Sequence, residues 1–214
     1  MMRKILSLTL MSILSFSAHA QTIDSLFTAI PDAVMPLLDH NSRLDMIDLY
    51  NCKMKAAVGN DLNGESCLLK KDSTHVMVRT SMASTFEMRL LPLEKDTIYA
   101  CLRTVEMPKE YSQLQFLHTD WSKAKVKQPE NLSFERCWQP DNSLSADRIE
   151  EIRLLLLPTF FVMHWETATG NEPCLVCEVS TKGLTKADEK DALRCLRPVK
   201  YLWREGKLVA EDRD

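Results

Sequence analysis

Residues 75–91 read HVMVRTSMASTFEMRLL, and their periodicity decides the fold class. Val76 and Val78 fall on one side of an extended chain. Phe86, Met88 and Leu90 face one way, and Glu87 and Arg89 the other. A period of two is the signature of a β-strand with two unlike faces. The pattern continues in TIYACLRTV (97–105) and SQLQFLH (112–118), joined by the turn-rich PLEKD and EMPKEYS. Strands this close in sequence pair as an antiparallel meander.

Upstream the period is helical. From Thr22, the residues Ile23, Leu26, Phe27 and Ile30 share a face until Pro31 interrupts it. Ser42, with Asp45 three residues on, reads as the cap of a helix running through RLDMIDLYNCKMKAA, stopped by Gly59 and NDLNG. Downstream, Ser145 caps ADRIEEIRLLLL, which Pro158 ends. FFVMHWET and CLVCEVS read as strands. LTKADEKDALRC is a helix with Thr185 and Asp188 as a capping box, and PVKYLW and KLV are closing strands around REG. The expected architecture is α+β: an antiparallel β-meander sheet with helices packed on one face and the other face open. Residues 42–121 and 145–209 each read helix then meander. That fits a degenerate internal duplication, which would lay two sheets edge to edge as one; it also fits the chance pairing any such sequence yields.

The chain starts with Arg3 and Lys4, an apolar stretch from Ile5 to Phe16, and Ala18-His19-Ala20. This predicts a secretory signal peptide over residues 1–20, cleaved between Ala20 and Gln21, and one α+β domain over 21–214. No cysteine follows the cleavage point, which argues against a lipid anchor. Formal charge is −3, and about −5 once Arg3 and Lys4 leave with the signal. Mild acidity disfavours a nucleic-acid surface, and no dense Lys/Arg cluster points to an anionic membrane. Without another apolar run near 18 residues, no transmembrane helix is expected.

NEPCLVCEVS (171–180) raises a redox or zinc question through Cys174 and Cys177. Residues three apart on a strand point to opposite faces. A thioredoxin-type centre needs its first cysteine at a helix start, and a zinc ribbon needs a second close pair. Neither is present, so the cysteines read as small apolar residues: Cys177 in the core, Cys174 on the other and partly exposed face. Two further constellations carry chemistry. His118 and Asp120 share a face of FLHTDW, beside Trp121. His164 and Glu166 share a face of FVMHWE, although a strand apolar on both sides suggests a packing role for His164. Either pair has the donor types for acid–base work or metal binding. His40 and His75 show no carboxylate or cysteine at ligand spacing. No phosphate loop, dinucleotide fingerprint, nucleophile elbow or His-Glu-x-x-His helix occurs, so no cofactor is expected.

IDSLFTAIPDAVMPLL, RLDMIDLYNCKMKAAV, STFEMRLLPL, FLHTDW and LRPVKYLWREGKLV together resemble an exported Bacteroidales family of unknown function, domain of unknown function 3256. The resemblance spans nearly the whole mature chain. It implies the periplasm or outer surface of a Gram-negative cell and transfers no catalytic residue. The leading functional reading is a non-catalytic binding or assembly protein of the cell envelope, with an envelope protein or glycan as partner on the open sheet face. Trp121, Trp138, Trp165 and Trp203 are available there as anchors, or else as core. The alternatives are an envelope enzyme performing metal-assisted hydrolysis at His118/Asp120 or His164/Glu166, and a thiol oxidoreductase at Cys174/Cys177.

Overall fold

The alternation in 75–91 folds as a hairpin of β3 (His75–Ser81) and β4 (Ser84–Pro92) in a computed structural model that describes residues 22–94, 96–106 and 109–211. The signal sequence and the Ala20/Gln21 junction lie outside the described residues. Val76 pairs with Met88 and Val78 with Phe86, while His75 pairs with Arg89 and Met77 with Glu87. Around the hairpin lie β1 (Ala57–Gly59), β2 (Glu65–Lys71), β5 (Thr97–Val105) and β6 (Tyr111–Leu117). The six strands form one antiparallel sheet in chain order.

On one face, Val76, Val78, Phe86, Met88, Tyr99 and Cys101 are covered by α1 (Ile23–Thr28), α2 (His40–Asn51) and the segment between these helices. The cap of α2 is Asp39, three residues earlier than expected. Its carboxylate accepts from the Ser42 N–H at 2.7 Å, leaving Ser42 inside the first turn. The helix also ends sooner: Lys53 turns left-handed, Met54 N–H donates to the Leu49 carbonyl, and residues 57–59 become β1.

The second half supplies α3 (Phe134–Cys137), α4 (Ala146–Leu155), β7 (Phe161–Thr167), β8 (Pro173–Val179), α5 (Lys186–Cys195), β9 (Val199–Arg204) and β10 (Lys207–Ala210). Ser145 and Thr185 cap α4 and α5, accepting from the N–H groups of Arg148 and Asp188. The strands form a separate antiparallel sheet, ordered β10-β9-β8-β7. Its inner face, with Trp165, Leu175, Cys177, Tyr201 and Trp203, shares one core with α3–α5 and with Leu91, Ile98, Ala100, Leu102 and Phe116 of the large sheet.

The large sheet therefore lacks the open face that a single helix layer would leave. Strand β5 signals this, being buried on both faces from Ile98 to Leu102. The junction uses side chains instead of a shared backbone ladder. The Met163 N–H of β7 donates to Ser112 Oγ at 2.9 Å, and the Trp165 N–H donates to Glu87 Oε1 at 3.0 Å. Arg89 Nη2 reaches Thr167 Oγ1 at 3.2 Å. An edge strand's free N–H groups are thus satisfied by polar groups on the face of another sheet.

Candidate functional site

Helices α1 and α2 leave the β5–β6 end of the sheet uncovered, and a cleft of about 520 Å³ lies there. Its floor comes from Cys101 and Phe86, and one wall from Ala33 and Val34. Arg103 spans the gap, donating from Nη2 to the Val34 carbonyl at 2.7 Å. Gln113 and Gln115 stand opposite Arg103 and Cys101 in register. Both amides are exposed and make no hydrogen bond within the described residues.

The other wall is the segment after β6. His118 N–H donates to the Ser122 carbonyl at 2.8 Å, and Trp121 N–H to the His118 carbonyl at 2.9 Å, closing a tight turn. Trp121 sits there at φ 66°, a left-handed conformation that costs a bulky residue roughly 1–2 kcal/mol. Its ring lies 4.7 Å from Tyr99, an aromatic contact that offsets part of that cost. Beyond the turn, Ala124 N–H and Gln128 Nε2 donate to the carbonyls of Phe116 and Leu114, holding the segment along the β6 edge.

Of the four tryptophans, only Trp121 lines this cleft. Trp165 and Trp203 are core residues, and Trp138 stacks on Phe134 at 5.2 Å. His118 and Asp120 occupy the Trp121 turn but are exposed. Asp120 Oδ1 accepts from Ser122 N–H at 2.9 Å, and hydrogen bonds from Ser122 hold its carboxyl below the usual carboxylate range. It therefore fastens the turn. His164 and Glu166 lie elsewhere, on the outer face of β7, with Nε2 and Oε1 3.2 Å apart. His164 is half-exposed there, not packed between two apolar faces as expected. Its hydrogen bond is the main influence lowering the Glu166 carboxyl; nearby Lys200 adds to it. Among the described residues, no group of three or more His, Cys, Asp and Glu side chains is placed to hold a metal ion.

Cys174 and Cys177 point to opposite faces of β8, and no disulfide joins them. Cys177 is fully buried in the core between the sheets. Cys174 is also buried, at 1 % exposure, because Val176, Leu202 and Ala168 close over it. The expectation of a partly exposed Cys174 does not hold. Burial pushes the Cys177 thiol up to about 12 and raises Cys174 as well. Cys101, beneath the cleft, is likewise pushed up to about 12 by burial.

These thiols make stability fall in alkali. An unfolded thiol ionises near pH 8.5, whereas the buried ones hold their protons to about pH 12. The protonated fold is at full strength below the unfolded value and loses stability as pH rises from there toward the folded value. Urea midpoints should decline from about pH 8 to about pH 11, and less steeply in Cys101→Ala/Cys177→Ala. A flat wild-type profile over that span would contradict the assignment.

Among the described residues, the most buried ionisable pair is one that the spacing along the chain does not announce. His75 Nε2 and Glu87 Oε1 lie 2.6 Å apart at the sheet junction, 1 % and 5 % exposed. Arg89 is beside them, with Asp72 4.0 Å from its Nη1. Parity carried a signal, since His75, Glu87 and Arg89 share one hairpin face. The pair is diagonal across β3 and β4, so linear spacing does not show it.

The family described as "Protein of unknown function (DUF3256)" matches residues 15–208. A solved structure, a domain of an uncharacterized protein from Porphyromonas gingivalis W83, is similar at a TM-score of 0.64. It is 22 % identical, and the match covers 87 % of this chain and 97 % of that one. At that identity the likeness speaks for the fold. No curated protein matches the chain. With the family match running from before α1 into β10, across both sheets and the cleft, the chain belongs to the DUF3256 family.

Proposed function

We propose that the protein is exported to the envelope of a Gram-negative cell and acts there as a non-catalytic binding protein, with its ligand seated in the Trp121 cleft. The lining of that cleft carries the reading. It presents one half-exposed indole, the amides of Gln113, Gln115 and Gln128, and the cations Arg103 and Lys123. Among the described residues, no carboxylate, imidazole or hydroxyl side chain lines it, and the thiol that does, Cys101, stays protonated at neutral pH. Such a surface recognises and orients a ligand; a general acid or base would have to come from elsewhere. Export is supported by the basic, apolar and small-residue order of residues 1–20. No helix among the described residues is long and apolar enough to cross a membrane.

Glycan and peptide arrays probed with wild-type protein and Trp121→Ala test the site. The expected result is a set of ligands held by the wild type and lost by the variant, with the melting temperature kept within about 2–4 °C, the shift of roughly 1 kcal/mol in a chain of this size, because the ring is only half-buried. Identical binding by the two proteins would remove the cleft from the function. N-terminal mass analysis of protein from the native host tests export, with Gln21 or its cyclised form expected first; a retained Met1 would overturn it.

A further inference from the structure

We propose that the ligand of this site is an acidic saccharide chain, lying from the Trp121 cleft along residues 123–127 to the edge of β10. The inference rests on the cleft being a binding site and adds the chemistry of what it binds. Both charged side chains lining the cleft, Arg103 and Lys123, are cations. The segment leaving it alternates: Ala124 and Val126 pack against the core, while Lys123, Lys125 and Lys127 are exposed. In an extended chain this places three ammonium groups on one side, roughly 7 Å apart. The row ends at a second cleft of about 460 Å³, with Gln128 lining both. There Lys127 is joined by Arg136 and by Lys207 of β10; the one carboxylate, Glu130, is bound to Lys127 at 3.1 Å. A chain of formal charge −3 has thus gathered cations along two connected clefts. The sequence shows only the lysine alternation. The fold adds Arg103, Arg136 and Lys207.

Positive charge alone fits any polyanion, and the other groups narrow the class. Gln113 and Gln115 stand two residues apart on β6 with unused amides. Amides donate and accept, as hydroxyls do, whereas a phosphodiester only accepts. Single-stranded nucleic acids are held by aromatic rings under successive bases, and here one indole serves the whole track. An indole face also takes the C–H face of a sugar ring. A membrane would meet protruding anchors, but these cations border concave clefts. A peptide adding a strand to β6 would find the carbonyls of Leu114 and Phe116 already taken by Gln128 and Ala124.

The test is calorimetric titration of the full mature chain with hexamers of galacturonic acid and of hyaluronan. Maltohexaose, hexaglutamate and a single-stranded DNA oligomer are the comparison probes. At least one acidic hexamer should bind in preference to maltohexaose. Its affinity should fall on the order of tenfold from about 50 to about 200 mM salt. Trp121→Ala should weaken it at least about tenfold. The exposed triple variant Lys123→Gln/Lys125→Gln/Lys127→Gln should fold normally and flatten the salt dependence. Equal binding of maltohexaose, indifferent to the lysines, would overturn the acidic assignment and leave the cleft as a saccharide site. Preference for DNA or hexaglutamate would overturn the saccharide class. Binding by no probe, with ligands still lost from the arrays in Trp121→Ala, would defeat this inference alone. No array difference either would defeat it together with the cleft.

Discussion

Glu87→Ala should lower the unfolding free energy by about 3–5 kcal/mol, because it strands two buried hydrogen-bonding groups at roughly 1–3 kcal/mol each. The carboxylate takes the His75 Nε2 contact at 2.6 Å and the Trp165 N–H at 3.0 Å, and all three groups are buried. Alanine leaves an imidazole and an edge-strand N–H without partners where water does not reach. The layer already carries cost, because His75 Nδ1, Arg89 Nε and Trp165 Nε1 are buried without a hydrogen-bond partner. Glu87→Gln retains an acceptor for Trp165 and should cost less than half as much. Urea denaturation of both variants measures this. A loss under about 1 kcal/mol for Glu87→Ala would mean that the junction is held by apolar packing alone.

Arg43→Met should cost about 1–3 kcal/mol, although Arg43 is a charged residue on a helix of mixed composition. Its guanidinium is buried beneath the α1–α2 connection. Nε donates to the Thr28 carbonyl at 3.3 Å and Nη1 to the Leu38 carbonyl, so one side chain satisfies the ends of two turns. Methionine keeps most of the stem's packing and leaves the Leu38 carbonyl unsatisfied, while the Thr28 carbonyl still accepts from His40 Nδ1 at 2.9 Å. The Asp32 carboxylate, 3.4 Å away, is 77 % exposed. Asp32→Ala should therefore change stability by less than about 0.5 kcal/mol. Equal losses in the two variants would show that the ion pair, not carbonyl capping, holds the connection.

The caps at Ser145 and Thr185, the two-residue periods of β3 to β6, and the opposite directions of Cys174 and Cys177 were all legible in the sequence. Each depends on backbone geometry within a few residues. The start of α2 was misplaced for a reason of the same scale: Asp39 and Ser42 are both good caps, and the carboxylate three residues earlier took the Ser42 N–H. Among the named site residues, Trp121 was found because aromatics beside polar residues stand out. Gln113, Gln115 and Arg103 were passed over because an amide on a strand looks like any solvated position.

An α+β chain, its antiparallel hairpins and the side chains that share a strand face all follow from local residue patterns. What lies over each face follows only from long-range packing. The alternation at Glu87 and Arg89 is the pattern of a solvent-facing sheet face. They are buried because the N–H of Trp165 and the hydroxyl of Thr167, each 78 residues further on, arrive as partners. The cleft was equally out of reach, since Arg103 meets the Val34 carbonyl across 69 residues. Periodicity records the direction of a side chain relative to its neighbours. Whether that direction ends in water, in a second sheet or in a cleft depends on contacts between segments whose separation leaves no mark on the local pattern.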